Sequence, residues 1–380
     1  MRQMARIKVL IVDDSAVIRS LLTEILSSDP GIEVVGTAGD PYKAREKIRK
    51  LEPDVITLDV EMPKMDGISF LEKLMRLRPM PVVMISSMTQ KGADIALRAI
   101  ELGAFDFIGK PRADIQTAFM DYQEEIILKV KEAAKASSKI KKQSETRAPL
   151  KAVPERRSMT PLAPGPKLSS DVILDKVHGR QVSGREPIIA IGASTGGTEA
   201  IRRILEDLPA DMPAIVIAQH IPPVFSESFA IRMDSLSALR VKEAEDEEPI
   251  RSGHVYVAPG DRHLLVEKRG PGYICRLNDG PPVNRHKPSV DVLFRSVSNT
   301  VGNMAIGVIL TGMGADGANG LLEMKESGAL TFAQDESSSV VWGMPGESVK
   351  RGAVDVVLNL ERMAPDLIKE SRRRMVRGAG

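Results

Sequence analysis

Two stretches of this chain alternate short β-branched apolar runs with amphipathic segments, and a polar stretch too poor in large apolar residues to bury a core separates them. Strand-sized runs alternating with helix-sized ones close into a parallel sheet with helices on both faces, because each parallel crossover covers the sheet it spans. In the first stretch the pattern predicts strands at Lys8–Val12, Val34–Ala38, Val55–Leu58, Val82–Ser86 and Phe105–Ile108. Helices are predicted between them, at Ala16–Leu26, Tyr42–Lys50, Gly67–Leu77 and Gly92–Leu102. The alternation resumes at Pro187, with strands predicted at Ile188–Ile191, Ala214–Ala218, Val255–Ala258, Ala305–Leu310 and Leu330–Ala333. Lys151-Ala-Val-Pro-Glu-Arg-Arg157 and Pro161-Leu-Ala-Pro-Gly-Pro166 lie between the two and predict a flexible, mildly basic linker. The expected organisation is a first domain over 6–125, a linker over 126–185 and a larger α/β domain over 186–370. The basic tail Ser371–Arg377 is expected to fray.

Composition narrows the class. At 42% hydrophobic and 27% charged, 380 residues suffice for two ordinary cores. A net charge of +2 is too near neutral to argue for nucleic acid as a partner. The single Cys275 excludes an intramolecular disulfide, fits a reducing compartment, and lies in a strand-like alternation that makes it a small packed residue. No apolar run reaches membrane-spanning length, so a cytoplasmic protein that does not insert into a membrane is expected.

Function in doubly wound sheets collects beyond the carboxyl ends of the strands. In the first domain those ends carry Asp13 and Asp14, Asp59, Ser86 and Lys110. Three carboxylates in one crevice repel each other unless a cation joins them, and such oxygen ligands suit Mg²⁺. Val12-Asp-Asp-Ser15, Leu58-Asp-Val-Glu-Met-Pro-Lys-Met-Asp-Gly67, Ile85-Ser-Ser87 and Gly109-Lys-Pro111 together resemble the receiver domain of two-component response regulators. That resemblance implies a flavodoxin-like fold in which Asp59 accepts a phosphoryl group from a histidine kinase. Asp13, Asp14 and Asp59, with the main-chain carbonyl of Glu61, would hold Mg²⁺. Ser86 and Lys110 would meet the phosphoryl group, and Phe107 would stand at the switch position, where Tyr is common.

The second domain opens on Ile188-Ile-Ala-Ile-Gly-Ala-Ser194-Thr-Gly-Gly197, an apolar run ending in a Gly-flanked Ser just before a helical pattern from Thr198 to Leu208. Read as G-x-S-x-G, this is a nucleophile elbow. A phosphate cradle competes, but the dinucleotide pattern would need Gly where Ser194 stands, and no Gly-Lys-Ser/Thr is present. A serine hydroxyl needs a base. Of five histidines, His178 lies in the linker, and His254 and His263 flank a strand and read as surface residues. His220 ends the strand after Ser194, which favours it over His286 in Asn284-Arg-His-Lys287. For the orienting carboxylate, Asp316 in the Gly-rich loop Leu310–Ala318 competes with Asp291 on a helix face.

The chain order Ser194, His220, Asp316 differs from the Ser…Asp…His order of α/β hydrolases. It resembles instead the chemotaxis-specific protein-glutamate methylesterases. The segments that carry the likeness are Ile191–Gly197, Ala218–Pro222, Gly253–Pro259, Asn284–Asp291, Thr311–Gly317 and Trp342–Pro345. Ala315 and Ser348 depart from the family pattern. The resemblance implies a doubly wound, mainly parallel esterase domain with Ser194 as nucleophile, His220 as base and Asp316 as its orienting acid. Amides near Thr195 and Met313 would be oxyanion donors, and no cofactor would enter the esterase reaction. It further implies chemoreceptors as substrates, a chemotaxis histidine kinase as phosphodonor, and deamidation of glutamine as a slower side reaction. An unphosphorylated receiver packed over the esterase cleft is expected from the domain order and the linker length.

Overall fold

The computed structural model describes residues 6–62, 65–110, 123–145, 167–177 and 186–378. The first domain alternates β1 (Ile7–Val12), α1 (Ala16–Ser27), β2 (Ile32–Ala38), α2 (Pro41–Leu51), β3 (Val55–Asp59), α3 (Gly67–Leu77), β4 (Val82–Ser87), α4 (Gln90–Glu101) and β5 (Asp106–Lys110). Its five strands are all parallel, in the order β2-β1-β3-β4-β5. Side chains set the helix starts. Asp40 accepts from the Tyr42 and Lys43 amides ahead of Pro41, Asp66 from Ser69, and Thr89 from Gly92.

The stretch that begins the expected linker is different in the structure. Residues 123–145 form a long helix, α5 (Gln123–Glu145), where a flexible tether was expected from residue 126. Ile126, Val130 and Ala133 recur at helical spacing and are fully buried against β1, β4 and α1 residues of the first domain. Lys135 on this helix is exposed, whereas Lys129 and Lys131 pair with Asp106 and Asp29 of the first domain. The Pro-rich segments over 151–166 lie outside the described residues, as does His178. Residues 167–177 pack on the second domain, where Asp171 pairs with Arg295 at 2.5 Å and the Val177 amide donates to Asn299.

The second domain runs β6 (Ile188–Ala193), α6 (Gly197–Asp207), β7 (Ala214–Gln219), α7 (Pro223–Leu236), β8 (Arg240–Glu243), β9 (Pro249–Ile250), β10 (His254–Val257), β11 (His263–Arg269) and β12 (Gly272–Asn278). It continues through α8 (Val290–Thr300), β13 (Ile306–Ile309), α9 (Ala318–Glu326), β14 (Leu330–Gln334), α10 (Met344–Lys350), β15 (Val356–Leu358) and α11 (Leu360–Gly378). Seven parallel strands lie in the order β15-β14-β13-β6-β7-β10-β8, and β11-β12-β9 form a separate antiparallel sheet. From β6 the chain builds outward through β7 on one side and β13 on the other, so the switch in strand order falls beside β6.

Three expectations change here. β8, β15 and the antiparallel sheet are additions, because their runs are short or mixed in polarity. His263 is fully buried rather than a surface residue: it accepts from the Ser289 amide and pairs with the Pro281 carbonyl. The tail from Ser371 continues α11, and Ser371 itself is buried. Cys275 is buried in β12, and burial pushes its thiol pKa up, as a packed and unreactive residue requires. Among the described residues no helix is long and apolar enough to cross a membrane.

Candidate active site

Ser194 stands where β6 ends and α6 begins. Gly196 turns the corner at φ +77°, a conformation a side chain resists, and a Cβ on it would lie 2.6 Å from Val340. The neighbouring strand ends in Gln219, whose amide donates to the carbonyls of both Ser194 (3.0 Å) and His220 (3.2 Å). That amide ties the two sequence-distant corners together. The Ser194 amide in turn donates to Thr311 at the end of the β13 run.

His220 Nε2 meets Asp316 Oδ2 at 2.9 Å, while its Nδ1 is buried without a partner. The carboxylate therefore holds the proton on Nε2 and leaves the Nδ1 lone pair free. Asp316 also accepts from Asn284 Nδ2 (2.8 Å), Ser289 Oγ (2.8 Å) and the Val290 amide (2.7 Å). Burial opposes its ionisation, but His220 and these donors hold its pKa well below the usual carboxylate range. Asp291 shares Asn284 with it, accepting at 2.6 Å, and shifts the other way: burial and the Asp316 charge raise it. Of the two candidate acids, Asp316 is the one that contacts imidazole and stays charged.

His286, the other candidate base, lies face to face with His220, ring centroids 3.8 Å apart and 11° from parallel. Burial and then the adjacent His220 push its pKa down to about 3, so it packs there as a neutral ring. Asn284, Ser289 and Gln219 were given no role from sequence, and His286 was weighed there as the rival base. The segment Asn284–Asp291 stood out there only as a motif, since these contacts span up to 32 residues of chain. Thr195 is buried beside Ser194, and Met313 is half-buried in the loop before Asp316.

In the first domain, Lys110 Nζ lies 2.8 Å from both Asp13 Oδ2 and Asp59 Oδ1. Burial raises Asp13, and it raises Asp59 to about 6 against the pull of Lys110. Asp13, Asp14 and Asp59 each offer an oxygen, and all three lie within 4.8 Å of one another. Asp59 Oδ2 is buried with no partner. An all-oxygen set with an unpaired buried acceptor fits a hard divalent cation. The Glu61 amide donates to Asp59 Oδ1, and its carboxylate accepts from Ser87. Ser86 donates to the Gly92 carbonyl at the start of α4.

The two domains meet beside the Ser194 corner. Thr195 Oγ1 donates to Asp106 Oδ2 at 2.7 Å, placing the first residue of β5 against the neighbour of Ser194. Lys129 of α5 approaches Asp106 at 3.4 Å and donates to the Phe107 carbonyl. Phe107 stacks on Phe225 of the second domain, centroids 4.6 Å apart and 7° from parallel. Gln90 donates to Glu227 at 3.0 Å, and Arg232 donates to Glu101 at 2.9 Å.

Family models match the chain in the same two blocks, the response regulator receiver domain over residues 9–119 and CheB methylesterase over 189–367. A protein-glutamate methylesterase/protein-glutamine glutaminase of Hydrogenovibrio crunogenus is 57% identical, over 94% of this chain and 96% of that protein. The chain belongs to the CheB methylesterase family. A Geobacter metallireducens protein of the same description is 55% identical over 94% of each chain. The catalytic domain of Thermotoga maritima CheB methylesterase is 40% identical, covering 50% of this chain and 99% of that one, with a TM-score of 0.48. The CheB match begins one residue into β6 and ends within α11, so it takes in Ser194, His220 and Asp316.

Proposed function

We propose that this chain is a phosphorylation-regulated esterase that hydrolyses glutamate γ-methyl esters on the cytoplasmic helices of chemoreceptors. Ser194 Oγ attacks the ester carbonyl while His220 takes the hydroxyl proton at Nδ1. The tetrahedral oxyanion rests on main-chain amides of Thr195 and Met313. Methanol leaves with the proton from His220, and a water deprotonated by the same ring then releases the glutamate. Asp316 fixes the tautomer and stabilises the imidazolium that forms. Glutamine amides can follow the same route with ammonia as leaving group, more slowly because an amide is the poorer electrophile.

The observation that carries this reading is the His220–Asp316 contact at 2.9 Å on strand ends flanking the Ser194 corner. Control enters through Asp59, which accepts a phosphoryl group from a chemotaxis histidine kinase. Asp13, Asp14, Asp59 and the Glu61 carbonyl would hold Mg²⁺, which when bound offsets the charge of the phosphoryl oxygens. Lys110 neutralises Asp59 before phosphorylation and pairs with the phosphoryl group after it. Ser86 turns from Gly92 toward the new oxygens. Asp106 and Phe107 begin the strand that ends in Lys110, so a rearrangement there loosens the contacts to Thr195 and Phe225 that cover the esterase site.

The test is methanol release by the full chain from a methylated chemoreceptor fragment, with and without a small-molecule phosphodonor and Mg²⁺. Release that rises with phosphodonor is expected. No methanol in either condition from folded protein would leave a binding-only output domain or a different ester as the surviving readings.

A further inference from the structure

Arg285 lies in the loop Asn284-Arg-His-Lys287, between two residues that touch the proposed triad: Asn284 donates to Asp316, and His286 stacks on His220. Asn284 and Arg285 both take left-handed backbone, φ 51° and 73°, a strained pair of non-glycine positions such as cluster at binding sites. With Asn284 anchored inward, the Arg285 side chain is 43% exposed at the mouth of the site.

What meets it there is the first turn of α5. Glu124 Oε2 lies 2.6 Å from Arg285 Nη1. The next residue, Glu125, pairs with Lys129 at 2.9 Å. Burial disfavours its charge, but Lys129 outweighs that and holds its pKa low. A helix carrying consecutive glutamates thus covers a site whose proposed substrate is an esterified glutamate on a helix.

We propose that Arg285 determines specificity by pairing with a carboxylate of the substrate helix beside the esterified glutamate, and that Glu124 occupies Arg285 as a substrate mimic while the receiver is docked. The proposal rests on the esterase reading above. A half-exposed ion pair contributes little to stability, but it can choose between neighbouring sequences and set the register of a docked helix. Arg285 is suited to this role because its planar fork matches a carboxylate.

The experiment uses the full chain with phosphodonor and Mg²⁺, and two methylated receptor fragments carrying Glu or Gln one helical turn from the ester. Wild type should show a lower KM for the Glu-flanked fragment, by roughly twofold to fivefold. Arg285→Gln should abolish that preference with kcat retained, and Arg285→Lys should restore part of it. Glu124→Gln should raise the rate without phosphodonor by a similar factor. An unchanged preference in Arg285→Gln, or a loss confined to kcat, would overturn the specificity role. An unchanged unphosphorylated rate in Glu124→Gln would overturn the mimicry. Absence of methanol from both fragments with wild type would instead sink the esterase reading beneath them.

Discussion

Asp316 and Asp291 are two carboxylates joined by one Asn284 amide, and their surroundings push their pKa values apart. Such a split assigns roles, because only the acid that stays ionised can hold an imidazolium. Asp316→Asn should therefore cut methanol release by about 10⁴-fold with the fold intact, as loss of the orienting acid does in serine hydrolases. Asp291→Asn should keep most of the activity, because the amide oxygen can still accept from Gly320. Steady-state assays paired with circular dichroism would decide, and comparable losses in both variants would refute the assignment. The Gly-rich loop made Asp316 legible in the sequence. Its donors Ser289 and Asn284 were not legible, since a hydrogen bond across some thirty residues leaves no local pattern. Asp59 offers a different residue-scale test. Its carboxyl is raised to about 6, above the ordinary value of about 4, so between those pH values the folded chain binds more protons than the unfolded one. Stability from this group is thus greatest at low pH and is lost as pH rises through about 6. A cation competing for the same oxygens should reverse that loss, adding about 1.4 kcal/mol at ten times its Kd. Thermal melts should show Mg²⁺ raising Tm more at pH 7.5 than at pH 5, with Asp59→Asn blunting the response.

At the scale of elements, the strands beneath both sites were legible because parallel strands buried on both faces read as unbroken apolar runs, such as Ile188-Ile-Ala-Ile191. The elements that sequence missed are of two physical kinds. β8 and β15 are edge strands of four and three residues: β8 carries one Val among charged residues, and β15 is too short to stand out. Helix α5 was hidden differently: its Lys and Glu content resembles a tether, while its apolar face of Ile126, Val130 and Ala133 is narrow. That face should matter more than its size suggests, because the same helix carries Lys129 to Asp106 and Glu124 to Arg285. Ile126→Ala should destabilise the first domain by about 2–4 kcal/mol, the usual cost of an emptied aliphatic site. Urea unfolding of the full chain would report it as a lower midpoint. It should also raise the rate without phosphodonor, since a loosened α5 holds its interdomain contacts less firmly. A lower midpoint with an unchanged basal rate would mean that α5 belongs to the receiver core alone.

The whole molecule joins two α/β units so that the β5 edge of one sheet, with α4 and α5 beside it, abuts the Ser194 end of the other. Position 107 shows how little side-chain chemistry this requires: in place of a hydroxyl-bearing ring, a Phe lies flat on Phe225. Stacked rings contribute about 0.5–1.5 kcal/mol beyond their buried area, and the Thr195–Asp106 hydrogen bond adds a contribution of similar size. The rim contacts Arg232–Glu101 and Gln90–Glu227 are more exposed, so they weigh less, and the Arg232–Glu101 ion pair is further weakened by salt. If the docked and open arrangements are in equilibrium, each 1.4 kcal/mol removed from the interface raises the open fraction tenfold until it approaches one. Asp106→Ala removes the acceptor of the Thr195 hydroxyl and a partner of Lys129 without touching Asp59, Lys110, Ser194, His220 or Asp316. Its rate without phosphodonor should rise by roughly fivefold to tenfold, while the phosphorylated rate stays at the wild-type ceiling. The stimulation ratio therefore falls because its denominator grows. Arg232→Ala should move the same ratio less, and its effect should fade with added salt. A phosphorylated rate that dropped along with the ratio would place Asp106 in the esterase chemistry instead, acting on Thr195 after the domains have parted.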